Sequence, residues 1–235
     1  MEVEDLFRLL NARSPWARLD SLENSEKISQ KVALGAARAC LGDSHSAVRR
    51  ASADMIAKYG SSRDFYRLQL ASIDTAWEVR SSVAGAFGSL RLARSAKRLA
   101  EMLRIDHHFI VRRDAAEALA VVNANAEGIL RDCLVNEKDN IVQSSIYRAL
   151  YMLGDRAVLS KILLYLNDDD SLVRTNVVNG LRFTGVDEND HELVIRALDA
   201  LLLTETHPGV REDASVFRSE LETFGAEYLP KDFVK

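Results

Sequence analysis

Apolar and polar positions along this chain return with the period of an α-helix, and the helical phrase itself repeats. The marker is a dipeptide: Val48-Arg49, Val79-Arg80, Val111-Arg112, Val142-Gln143, Val173-Arg174 and Val210-Arg211. Successive valines are 31, 32, 31, 31 and 37 residues apart. An acid stands five residues before each valine: Asp43, Asp74, Asp106, Glu137, Asp168 and Glu205. Apolar residues recur about four, eight and eleven positions later, with Ile56, Phe87, Leu119, Leu150 and Leu181 at the eighth. That spacing is one face of a 3.6-residue helix. Four positions further stand Gly60, Asn123, Gly154 and Gly185, with Arg91 as the exception. Glycine or asparagine there predicts a left-handed residue that stops the helix.

Helix starts are also legible. Thr75 and Glu78 have the spacing of a capping box, and Pro208 suits a first helical turn. Between the marked helices lie second amphipathic runs at 95–103, 126–134, 158–166 and 193–203. The pattern therefore predicts six helix–turn–helix units of about 31 residues each. One pair cannot bury its own apolar stripe, so the pairs must stack into a continuous core. The expected fold is all-α: a solenoid of about six helical hairpins forming one array over 1–235. An N-terminal cap over 1–24, with a helix near 3–10, would precede repeats at 25–224 and a tail at 225–235 containing Pro230 and Lys231. The longer last interval holds an acidic insertion at 186–190.

Composition supports long helices. Three prolines and eleven glycines in 235 residues are too few for a turn-rich β protein. Cys40 and Cys133 form no disulfide framework, no long apolar run suggests a signal peptide or membrane span, and a cytoplasmic protein is expected.

The phrase Asp-x4-Val-Arg, followed by Ala or Val and Leu, resembles the short HEAT repeat, in the version called the phycobilisome-lyase HEAT-like repeat. The resemblance runs from about Ser25 to Phe224, with departures at Glu137, Gln143 and Glu205. It implies that the turn acid and the arginine six residues later bond along the stack, as Asp43/Arg49, Asp74/Arg80, Asp106/Arg112, Asp168/Arg174 and Glu205/Arg211. It also implies that second helices line the concave surface.

Motifs for catalysis are sparse. His45, His108 and His207 share one repeat position in units one, three and six, too far apart to meet at a metal. The HEAT-like deoxyhypusine hydroxylases bind iron through several His-Glu dipeptides, and this chain has one, His191-Glu192. No nucleophile elbow or phosphate-binding glycine loop occurs. Asp114 and Glu117 read as a solvated face, and both cysteines as small core fillers. No catalytic residue, metal or cofactor is expected, and the chain reads as a non-enzyme.

Charge is polarised. Residues 1–117 carry 19 basic against 15 acidic groups, while residues 118–235 carry 12 against 20. With a pI near 5.8 and an acidic second half, nucleic acid is disfavoured as a partner. A protein partner gripped on the concave face fits better, the chain being a monomer or part of a heterocomplex. Trp77, Phe109, Arg113, Arg148, Tyr151 and Arg182 are the candidate contacts, since aromatic and arginine side chains anchor interfaces. Trp77 and Phe109 also suit a staple onto a neighbouring helix. Regulator, assembly factor and immunity protein are all compatible roles. The alternative is a subunit of a bilin lyase or phycobilisome-processing factor.

Overall fold

The computed structural model describes residues 10–224. Thirteen α-helices and no strand occur among them: α1 Pro15–Asn24, α2 Gln30–Cys40, α3 Ser46–Tyr59, α4 Phe65–Ala71, α5 Trp77–Ser89, α6 Ala96–Ile105 and α7 Phe109–Val122 come first. Then follow α8 Glu127–Asn136, α9 Asn140–Met152, α10 Leu159–Leu164, α11 Ser171–Thr184, α12 His191–Thr204 and α13 Pro208–Phe224. None is long and apolar enough to cross a membrane. The fold is an all-α, HEAT-like helical repeat. Apart from Leu10, the expected N-terminal helix lies outside the described residues, as does the tail from 225 onward.

The chain divides into two compact units, Met1–Ile129 and Leu130–Lys235. In the first, α3, α5 and α7 lie side by side, each backed by the helix before it. The repeat valines Val48, Val79 and Val111 are fully buried, as are Ile56, Phe87 and Leu119 about two turns further along the same face. In the second, α9, α11 and α13 pack in the same order around Val142, Ile146, Leu150, Val178 and Val210. Each such side chain removed from water contributes roughly 1.5–3 kcal/mol. Small residues set the spacing. A Cβ on buried Gly88 would stand 3.2 Å from that of Ala118, so α5 and α7 meet at the distance a missing side chain permits.

Two local expectations need correction. Thr75 provides no cap: α5 starts from Ala76, whose N–H is taken by the Asp74 carboxylate at 2.9 Å. A capping box does form one turn earlier, between Ser61 and Asp64. The predicted stops also differ. Gly154 and Gly185 have positive φ, at 99° and 84°, but Gly60 and Asn123 end their helices with negative φ. Arg91, the exception in sequence, is the residue that turns left-handed there, at φ 48°.

Gly185 has ψ 149°, a region open to glycine and almost nothing else. Gly185→Ala is therefore expected to cost about 1–3 kcal/mol, read as a lower urea midpoint with unchanged m-value.

Candidate functional site

The turns joining first to second helices carry the chain's most regular chemistry. Arg49 donates from Nη1 to the Asp43 carbonyl of its own turn at 2.7 Å. Its Nε and Nη2 then clasp the Asp74 carboxylate of the following repeat at 2.6 and 2.8 Å. Arg80 does the same, to the Asp74 carbonyl and the Asp106 carboxylate. In the second unit Arg174 joins the Asp168 carbonyl to the Glu205 carboxylate. The expected side-chain pairing within each turn is thus corrected. The arginine reaches its own turn through backbone oxygen and gives its forked face to the next acid. Two parallel bonds match the planar guanidinium to a carboxylate.

Two members were not visible as such in the sequence. Arg18 on α1 clasps Asp43 and reaches the Ala12 carbonyl, so α1 acts as the second helix of an incomplete leading repeat. The only signal was its position one period before Arg49. Where repeat four carries Gln143, the amide keeps the own-turn bond to the Glu137 carbonyl at 2.7 Å. The Gln143 carbonyl accepts from Tyr165 at 2.6 Å, and Asn140 donates to Asp168. Amide and phenol hydrogen bonds stand there in place of the arginine clasp.

The acids answer to these contacts. Arg18 holds the Asp43 carboxyl below its ordinary value, and Arg174 lowers that of Glu205 to about 2. Burial pushes Asp74 and Asp106 upward, but the arginine clasp and the helix-start N–H outweigh it, leaving both lowered.

The same edge holds the aromatic candidates. Trp77 stacks on the His108 ring at 3.8 Å with 2° between planes, and His108 in turn stacks on Phe109 at 5.1 Å. Trp16 meets His45 edge-on. Both histidines are N-caps: Nδ1 of His45 accepts from the Ala47 N–H and Nδ1 of His108 from that of Ile110. Nδ1 of His207 accepts from the Val210 N–H. The shared histidine position is thus a helix-start position. Beside the Trp77 stack opens a cleft of about 590 Å³ lined by Ile73, Thr75, Arg98, Met102, Ile105 and the Arg80–Asp106 pair.

The remaining candidates lie on second helices. Arg113 is half-buried and clipped to Asp114, which also accepts from Ser81. Arg182 pairs with Glu220 and Asn179 with Asp213, both across α11 and α13. Arg148 and Tyr151 do not stand on an open surface, and their expected role as exposed contacts is corrected. They are 7% and 8% exposed. Arg148 lies over Gly180, where a Cβ would come 2.7 Å from its Nε, and donates to the Gly180 carbonyl and Thr184. Tyr151 donates to Asp190 and accepts from the Asp187 N–H, so the acidic insertion is its lid. Burial, then the Asp190 carboxylate, push its hydroxyl up to about 12. Arg156 ties the same insertion down through Asp187 and Asp190. Cys40 is buried as expected, whereas Cys133 is half-buried.

No protein-family model matches the chain, and no curated protein matches it in sequence. Among solved structures, the complex of CpcE and CpcF of phycocyanin lyase from Nostoc sp. PCC7120 is similar in fold. The TM-score is 0.67 at 18% identity, over 94% of this chain and 95% of that one. An engineered protein matches at TM-score 0.41 and 16% identity, over 94% of this chain and 97% of that one. At 18% identity the likeness to the lyase complex establishes the fold. It also corrects the expectation of a non-enzyme. The same fold, end to end, serves in a phycocyanin lyase, so the missing hydrolase and metal motifs do not mark the chain as non-catalytic.

The depressed acids set a pH window. A carboxyl whose folded value lies below its unfolded one adds stability above the unfolded value and loses it as pH falls through the folded one. For Glu205 the window runs from 4.5 down to about 2. Denaturant melts should show stability falling through this window, with a shallower fall in Glu205→Gln. Equal slopes would mean that the clasp does not form in solution.

Proposed function

We propose that this chain is a subunit of a bilin lyase, working with a second protein subunit on a phycobiliprotein in the cytoplasm. The observation that carries the reading is the end-to-end likeness to the phycocyanin lyase complex. The repeat phrase points the same way independently, because its resemblance is to the phycobilisome-lyase version of the HEAT repeat. The neighbour is a complex of two proteins, which supports a heterocomplex here as well.

In this reading the chain's contribution is recognition and positioning, with the reacting site completed by the other subunit. Trp77, Phe109 and Arg113 in the first unit and Arg182 in the second are the proposed contacts. The Trp77–His108–Phe109 stack suits this role because it is held rigid by the α7 cap, so little side-chain entropy is lost on binding. Arg148 and Tyr151 act one step back, by holding the second unit's helices and its acidic insertion in place.

The experiment is reconstitution. The chain is combined with a candidate second subunit, the apo form of a phycocyanin subunit and an open-chain tetrapyrrole. The expected result is colour that stays on the apoprotein through denaturing electrophoresis only when both subunits are present. Trp77→Ala should reduce its rate while leaving the thermal melt of the chain close to wild type. Attachment no faster than with apoprotein and pigment alone, together with no complex between the subunits, would remove the proposal.

A further inference from the structure

The outer face of α4 and α6 has apolar side chains where a water-facing helix normally carries polar ones. Tyr66 and Leu70 stand one turn apart on α4, Ile73 follows in the turn just past its end, and the three are 69%, 74% and 68% exposed. Ile105, in the corresponding turn of the next repeat, is 72% exposed. The two helices are tied together here: Arg98 on α6 donates to the Ser72 carbonyl and hydroxyl at the end of α4, both at 2.8 Å. Ile73 and Ile105 both line the 590 Å³ cleft, together with the buried Met102. Four large exposed side chains amount to several hundred Å², about the largest patch a monomer ordinarily leaves open.

The unpaired charges on these helices and their turns are basic. Arg63, Arg67, Arg94, Lys97 and Arg104 are all exposed. No ion pair involving Arg63, Arg94, Lys97 or Arg104 occurs among the described residues. Glu101, the acid on the same face of α6, is taken by Arg98. The exposed stripe of α12 makes a useful contrast. Leu193 and Leu203 are open there too, but Arg196 pairs with Glu192 and Arg218 with Asp199, so that face has no net sign.

We propose that the outer face of α4 and α6 is a docking surface for an acidic amphipathic helix of a partner protein. Three physical points favour this occupant. A helix with apolar residues at positions i, i+3, i+4 and i+7 matches the run of Tyr66, Leu70 and Ile73, and one of its side chains can enter the cleft between Ile73 and Ile105. Acids on its flanks meet the unpaired cations, which steers association and fixes orientation. A second copy of the same face would instead bring two basic rims together, so symmetric self-association is opposed. A flat lipid surface would leave the concave cleft unfilled. Of the contacts given to the lyase reading Trp77 borders this cleft, whereas Tyr66, Leu70, Lys97, Arg104 and Ile105 belong to none of them, so the proposal stands whether or not that reading does.

The probe is a synthetic amphipathic peptide of about 18 residues, some five helical turns, with leucine along one face and glutamate on both flanks. A second peptide carries lysine in place of glutamate. Fluorescence anisotropy with the full chain should show binding of the glutamate peptide, weakening as salt rises, and little binding of the lysine peptide. Leu70→Ser and Ile105→Ser should each weaken binding about tenfold or more with an unchanged thermal melt. The double charge reversal Lys97→Glu with Arg104→Glu should shift preference toward the lysine peptide, a gain that misfolding cannot imitate. Equal binding of both peptides, or indifference to these substitutions, overturns the proposal. So does capture of phosphatidylcholine vesicles containing phosphatidylglycerol, lost in the same variants, when neither peptide binds. Neither result touches the pigment-attachment assay.

Discussion

One guanidinium serving two repeats is the interaction on which the rest of each unit depends. Apolar stripes drive helices together, but a stripe of valine, leucine and alanine is tolerant of sliding. The arginine clasp is not. Its Nη1 must meet a carbonyl in its own turn while Nε and Nη2 meet a carboxylate in the next, and both demands hold only at one offset between repeats. The carboxylate meanwhile accepts the N–H at the start of its own second helix, as Asp43 does from His45, Asp74 from Ala76 and Asp106 from His108. Helix start, turn and neighbour are therefore fixed by the same few atoms. That is why the acid and the arginine persist while the residues between them vary.

The period, the helical class and the core positions were legible because burial imposes a spacing that survives in any single sequence. The fully buried Val48, Val79, Val111 and Val142 are the same residues that mark the repeat. What sequence did not reveal was direction. A spacing of six residues suits an arginine bonding to its own acid, and nothing in one chain says that the fork turns to the next repeat. The stops after α3, α5 and α7 differ from the pattern for a similar reason. Gly60 needs no positive φ, whereas Arg91 adopts one because its N–H and that of Leu92 close onto the Gly88 and Phe87 carbonyls.

The placement of the candidate residues on the helices was legible in part. Position relative to the repeat valine correctly places Arg113 and Arg182 on second helices, but it assumes that each neighbour leaves room. On α9 it does not. Gly180 on α11 opens a slot that Arg148 fills, and the insertion after α11 folds over Tyr151. The signals were present, as a glycine in mid-helix and a longer interval, but only three dimensions show that they face those two side chains. Trp77 combines both readings, since it stacks on a neighbouring helix start and still borders an open cleft.

The direction of the clasp is the central claim, and a pair of double-mutant cycles around Asp74 tests it. One cycle removes Arg49 and Asp74 side chains singly and together, and the other removes Arg80 and Asp74. The account predicts a coupling on the order of 1–3 kcal/mol for Arg49 with Asp74, across repeats, and a much smaller one for Arg80 with Asp74, whose direct bond is to backbone oxygen. A larger coupling for Arg80 than for Arg49 would contradict it.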